Sequence, residues 1–191
     1  MTELTETAPR RGVATWIQAL IWAGLVSLLV VVFIILNKRQ QGSVRPGDTI
    51  PNFTIPLFSG YEYQGKSEFN LKDVRGKVVV INFWASWCKP CEQEAAELQA
   101  AWEHYEPTGQ VVFLGVDYVD TEPEARVYLK KYGITYPNGP DMGTRVSQLF
   151  RTTGVPETYF IDKNGVLRFV QIGPFASLGE IQSQIEILLA E

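Results

Sequence analysis

The sequence predicts an α/β fold, a mixed sheet flanked by helices on both faces, preceded by a single N-terminal transmembrane helix. Three observations predict it. An uncharged stretch runs from Gly12 to Asn37. Two continuous apolar runs, Val78–Trp84 (VVVINFW) and Val111–Val116 (VVFLGV), are each followed by a segment of helical composition. A hairpin signal and a last helical pattern then close the chain. Strands alternating with helices, then an antiparallel pair, imply a mixed sheet covered on both sides.

The first element is the stretch Trp16–Leu36, WIQALIWAGLVSLLVVVFIIL. At about 1.5 Å per residue, a helix of this length spans the ~30 Å hydrocarbon core of a bilayer. Trp16 and Trp22 lie toward one end, where interfacial indoles are common. A cleaved signal peptide would have a shorter apolar region and a small-residue cleavage site. Here the run ends in Asn37-Lys38-Arg39-Gln40-Gln41. Residues 1–12 are therefore expected to form a tail, 13–36 a membrane span, 37–48 a polar tether and 49–191 one soluble domain. Arg10 and Arg11 before the helix nearly balance Lys38, Arg39 and Arg45 after it. Charge alone does not orient the span.

Within the domain, Asn52–Leu57 and Tyr61–Tyr63 are expected to pair as a hairpin around Ser59-Gly60. Val78–Trp84 suits a strand buried on both faces. Glu92–Tyr105 places Ala95, Leu98, Trp102 and Tyr105 at helical spacing, and Gly109 stops it. Val111–Val116 is the next buried strand. Pro123–Tyr132 opens with Pro-Glu and closes at Gly133, as helices do. A short helix over Thr144–Phe150 and a strand over Thr158–Ile161 come next. Asp162-Lys163-Asn164-Gly165 marks a turn into a partner strand, Val166–Ile172, and Ser177 precedes a helix over Leu178–Leu189.

Composition narrows the function. The formal net charge is −4, and it belongs to the domain, because Arg10, Arg11, Lys38 and Arg39 outweigh Glu3 and Glu6 in the first 41 residues. An acidic domain with no basic run argues against nucleic-acid binding. Only two cysteines are present, Cys88 and Cys91, so no disulfide framework exists to staple a small secreted domain. One CxxC and one histidine, His104, make a poor zinc site, and no cofactor is expected.

The chemistry lies in Phe83-Trp84-Ala85-Ser86-Trp87-Cys88-Lys89-Pro90-Cys91, at a strand-to-helix junction. A thiol at a helix N-terminus faces unpaired backbone N–H groups and the positive end of the helix dipole, so Cys88 is expected to ionise readily. Pro90 fits the first turn, where its missing N–H costs nothing. Residues three apart share a helix face, so Cys91 can close a disulfide with Cys88. Cys88 is expected to be the exposed, attacking thiol, and Cys91 the buried, resolving one.

This stretch resembles the active-site segment of thioredoxin-like proteins. Gly154-Val155-Pro156-Glu157-Thr158-Tyr159-Phe160-Ile161-Asp162 resembles a second signature, that of the membrane-tethered cytochrome c biogenesis thioredoxins (the CcmG/DsbE group, with ResA and TlpA as relatives). Gly115-Val116-Asp117-Tyr118 and the segment before Pro137 are similar too, and the resemblance covers most of residues 46–185. It implies a thioredoxin-like fold and a membrane-tethered thiol–disulfide oxidoreductase with its domain on the extracytoplasmic side. It also implies a cis proline at Pro156 beside the attacking cysteine. Val155 would then pair with an extended substrate through its main chain, and Trp87 would offer an apolar surface. Glu94, three residues after Cys91, matches an acidic residue that relatives place near the cysteines, where a raised pKa would suit proton exchange with Cys91. Glu157 is a second candidate for that role. Many cytoplasmic thioredoxins have a buried Asp where this chain has Asn82, which cannot accept a proton. The implied substrate is a protein disulfide, in apocytochrome c or a chaperone that holds it, with a membrane electron donor to restore the dithiol. Three other readings stay open: an oxidase or isomerase of secreted proteins, a peroxidase, for which a third cysteine is wanting, and a non-catalytic tethered binding module.

Overall fold

The computed structural model of the chain describes residues 15–40 and 44–191. It divides into two compact units, an N-terminal helical one and Ser43–Glu191. Helix α1 covers Thr15–Gln40. Its stretch Thr15–Ile34 has a mean hydropathy of 2.6 and is long and apolar enough to cross a membrane. The expected tail over residues 1–12 lies outside the described residues.

The second unit is built on a five-stranded mixed sheet, order β5-β4-β3-β6-β7. Strand β3 (Val78–Trp84) lies at its centre, parallel to β4 (Val111–Tyr118) and antiparallel to β6 (Glu157–Ile161). Strand β5 (Asn138–Asp141) joins β4 in parallel, and β7 (Leu167–Ile172) joins β6 antiparallel. Every residue of β3 is buried, Asn82 included, as befits a mainly apolar strand covered on both faces. One face carries α2 (Cys91–Tyr105), α3 (Glu122–Lys131) and α5 (Leu178–Ala190), which pack Ala95, Leu98, Trp102, Leu129 and Ile181 with Val80 and Phe113. The other carries α4 (Arg145–Phe150) and a separate hairpin of β1 (Thr54–Pro56) and β2 (Glu68–Asn70), closing a core with Ile81, Leu114 and Phe150. The segment ahead of β1 is tied to β7: Gly47 N–H donates to the Leu167 carbonyl at 2.7 Å, and Leu167 N–H to that of Asp48 at 2.9 Å.

Two expectations are corrected. The partner of β1 is Glu68–Asn70, not Tyr61–Tyr63. Tyr61 N–H closes a turn onto the Phe58 carbonyl, and Tyr63 bridges only to Lys66, so the chain turns again before the return strand begins. Strand β5 was not expected at all. Its sequence, NGPD, consists of turn formers, and pairing with Gly115–Tyr118 holds it extended.

Candidate active site

The site forms where β3 ends and α2 begins, at the carboxyl edge of the central strands, the usual place for a site in an open α/β sheet. After Trp84 the chain makes one turn, in which Cys88 N–H donates to the Ala85 carbonyl at 3.1 Å. Helix α2 starts at Cys91, just after Pro90. Cys88 and Cys91 form a disulfide with their Cα atoms 5.3 Å apart. The Cys91 N–H points at Cys88 Sγ at 3.1 Å, so the first free donor of the helix is aimed at the sulfur expected to attack.

The expected contrast in exposure between the two cysteines is absent. Cys88 is 3% exposed and Cys91 1%. Both belong to the core on the α2 face, so Cys88 is shielded as fully as its partner while the disulfide is closed.

Trp87 is 57% exposed, and its indole N–H donates to the Val119 carbonyl at 3.2 Å, which fixes the ring while leaving a face open. Trp84, two residues before Ser86, is core. Its indole donates to Asn138 Oδ1 at 2.8 Å, and its ring stacks on Tyr128 with centroids 4.5 Å apart. Lys89 is solvated and pairs with Glu92 at 2.9 Å, holding that carboxyl down to about 2.

Glu94 is buried one turn beyond Cys91. Asn82 Nδ2 donates to its Oε1 at 2.8 Å, and Phe175 N–H to its Oε2 at 3.1 Å. Burial outweighs these bonds and pushes the carboxyl up to about 7. Asn82 also donates to Thr158 Oγ1 at 3.0 Å, so its amide ties α2 to β6.

The Val155–Pro156 peptide is cis. A groove of about 230 Å³ beside it is lined by Pro90, Val155, Pro156, Ile172 and Pro174. Glu157, at the start of β6, is buried but differently engaged from Glu94. Its Oε1 accepts from Thr153 N–H (2.9 Å), Thr153 Oγ1 (2.6 Å) and Gly154 N–H (3.2 Å), and its Oε2 from Tyr159 OH (2.6 Å). Those four donors commit the carboxylate to the loop that carries Val155 and Pro156.

Sequence reasoning passed over three groups. Tyr128 OH donates to the Cys91 carbonyl at 2.9 Å. Asp120 accepts the Ser86 N–H at 2.6 Å. Asp117, at the end of β4, is buried with neither oxygen bonded to a donor among the described residues. A carboxylate inside an otherwise apolar strand was the available signal.

A redox-active cysteine pair at a helix start, facing a cis-proline loop on a thioredoxin-like sheet, defines a thiol–disulfide oxidoreductase. The AhpC/TSA family model matches residues 46–170, and the chain belongs to that family. It is 32% identical over 151 residues to the thiol-disulfide oxidoreductase ResA of Oceanobacillus iheyensis, covering 78% of this chain and 77% of that one. ResA of Bacillus cereus is 33% identical over 119 residues, 62% of this chain and 65% of that protein. Among solved structures, a thiol:disulfide interchange protein of the thioredoxin family from Chlorobium tepidum TLS superposes with a TM-score of 0.63 at 25% identity, over 78% of this chain and 99% of that one.

Proposed function

We propose that this oxidoreductase works as a dithiol reductant of protein disulfides on the extracytoplasmic side of a membrane, with α1 as its anchor. The observation that carries thiol exchange is the helix-start pair itself, with the Cys91 N–H aimed at Cys88 Sγ, and the reducing direction is supported by the resemblance to the cytochrome c biogenesis thioredoxins. In the reduced protein the Cys88 thiolate attacks one sulfur of a substrate disulfide. A mixed disulfide forms, and the other substrate sulfur leaves as a thiolate. Cys91 then gives up its proton and attacks Cys88 Sγ. The second substrate sulfur departs, two electrons have passed to the substrate, and the Cys88–Cys91 disulfide is restored.

Glu94 suits the proton step. A carboxyl poised near 7 exchanges a proton with little bias at neutral pH, and it lies one turn beyond Cys91. Asn82 offers no such group and serves to hold Glu94. Val155 and Pro156 border the groove, so an extended substrate segment would lie there against the main chain of Val155. Trp87, exposed and not part of the groove's lining, would offer the substrate a separate apolar surface. Glu157 shapes that loop through its bonds to Thr153 and Gly154.

The substrate this reading favours is apocytochrome c, or a chaperone presenting it, before haem attachment. A membrane electron donor would recharge the pair. The resemblance in sequence to the cytochrome c biogenesis thioredoxins supports both. Trapping tests the reading. A Cys91→Ala chain, expressed at full length in its membrane, should accumulate mixed disulfides through Cys88, and mass spectrometry of the adducts names the partner. A strain that accumulates none removes the reductant reading. A reduction potential well above that of the glutathione couple would instead make the protein an oxidase.

A further inference from the structure

Strand β4 alternates. Val111 and Phe113 pack with α2, α3 and α5, while Val112, Leu114 and Val116 face the other core. Asp117 continues the first row, in register with Trp84 at the end of β3. It is 1% exposed, and among the described residues neither carboxyl oxygen meets a donor. Asp120, three residues on, is also buried. Its Oδ2 accepts from Ser86 N–H at 2.6 Å and its Oδ1 from Thr121 N–H at 2.7 Å. Between them Val119 sits at φ +47°, a left-handed conformation that a β-branched residue rarely adopts, and its carbonyl takes the Trp87 indole N–H. The short turn after β4 therefore grips the cysteine loop at two consecutive residues, Ser86 and Trp87. Strained backbone of this kind concentrates at functional sites.

A buried carboxylate without a donor is costly, and a second carboxylate facing it raises the cost. One proton removes both problems, because a protonated Asp117 can donate to Asp120. Burial first, and then the Asp120 charge, push Asp117 up to about 8. Five ionisable groups on the elements around this face are bonded elsewhere, while Glu97 on α2 keeps one buried oxygen without a donor among the described residues. Glu92 pairs with Lys89, and Glu94 bonds to Asn82 and Phe175 N–H. Glu124 accepts from the Thr121 hydroxyl, and Tyr128 donates to the Cys91 carbonyl. Asp141, on the neighbouring strand, accepts from Val146 N–H and Ser147.

We propose that Asp117 and Asp120 share one proton, and that this carboxyl–carboxylate pair is the positioning device of the Ser86–Trp87–Cys88 loop. With the proton present, the pair bonds and Asp120 holds the Ser86 amide. Without it, the two carboxylates repel and the grip on the loop loosens. Asp117 and Asp120 are positioning residues; neither touches the exchanging sulfurs. The structural claim stands on the pair itself, and its effect on thiol exchange rests on the oxidoreductase reading.

The test uses the full-length oxidised chain, labelled with nitrogen-15, in detergent micelles. The Ser86 amide resonance should shift between pH 6 and 9.5 with a midpoint near 8, the value to which Asp117 is raised. In Asp117→Asn, whose side-chain amide donates at every pH, that shift should vanish. A Ser86 resonance that stays flat in the parent chain overturns the proposal without any variant. So does an identical midpoint in Asp117→Asn. A second arm measures reduction of a model protein disulfide by both reduced chains. From pH 7 to pH 9 the parent rate, divided by that of Asp117→Asn, should fall up to roughly tenfold, the ratio of protonated fractions for a group titrating near 8. Parallel profiles sink the positioning role and leave the oxidoreductase standing. A lack of exchange by either chain at any pH sinks the oxidoreductase reading and leaves the Ser86 result to judge the pair.

Discussion

Asn82 donates to Glu94 at 2.8 Å, joining the central strand to the first turns of the cysteine helix. The partnership sets an amide that cannot change charge beside a carboxyl that can. Removing the ionisable member should therefore alter pH dependence more than structure. The disulfide-exchange rate of the parent chain should show an inflection near pH 7, and Glu94→Gln should lose it. An unchanged inflection in Glu94→Gln would exclude Glu94 as its source.

The same group makes a stability prediction of defined sign. Its folded-state pKa is raised from 4.5 to about 7, so burial penalises the ionised form. Below about 4.5 the group is protonated in both states and the penalty is absent. It grows as pH rises and is complete above 7, since the unfolded chain ionises first. Urea unfolding at pH 5 and pH 8 should show the parent chain losing on the order of a few kcal/mol more than Glu94→Gln over that interval.

Glu157 holds its loop through three donors from Thr153 and Gly154 and a fourth from Tyr159. Glu157→Ala takes that acceptor from Thr153 and Gly154, while Tyr159 OH keeps the Phe150 carbonyl at 3.5 Å. A loss of about 2–3 kcal/mol is expected, with Glu157→Gln losing less because it keeps one acceptor oxygen. Because the loop borders the groove, KM for a peptide disulfide should rise more than kcat falls. A pure kcat effect would point instead to direct participation in the chemistry.

Trp84→Phe keeps most of the ring but removes the donor to Asn138 Oδ1. Asn138 is fully buried. Its amide still reaches the Tyr136 carbonyl, so one acceptor is orphaned rather than the whole side chain. About 1–3 kcal/mol should be lost in denaturant unfolding. The paired change Asn138→Leu with Trp84→Phe should recover part of that loss.

Sidedness has a direct readout. If the domain lies outside the cytoplasm, a membrane-impermeant thiol reagent should label Cys88 in intact cells after mild reduction, without permeabilisation. Labelling only after permeabilisation would place the domain inside.

Local pattern carried much of the architecture. A short, β-branched apolar run interrupted only by Asn82 suits a strand covered on both faces, and β3 is buried throughout. Helix α2 was expected from Glu92 and begins at Cys91, because its spacing of Ala95, Leu98 and Trp102 is a helix's own signal. What escaped is held by distant partners. Nothing within Asn138–Asp141 favours a strand, and β4 imposes it. Asp117 reads as the polar end of an apolar run, and only its register with Trp84 puts it inside. The burial of Cys88 likewise comes from a core whose members, Phe58, Tyr128 and Phe175 among them, lie far from it in sequence. Glu94 and Glu157 looked alike in sequence. One is desolvated with two donors and the other is saturated with four, and only their surroundings separate them.

The hairpin that sits against β5 has a consequence for association. A sheet margin normally displays free amides and carbonyls to which any passing polypeptide can attach. Here Phe58 N–H occupies the outward Asn138 carbonyl at 2.8 Å, and the Pro56 carbonyl lies so close over Gly139 that even a methyl group there would strike it. A glycine at position 139 thus lets the chain seal its own flank. At Asn138 and Gly139 the sheet margin is thereby closed to strand addition by another chain.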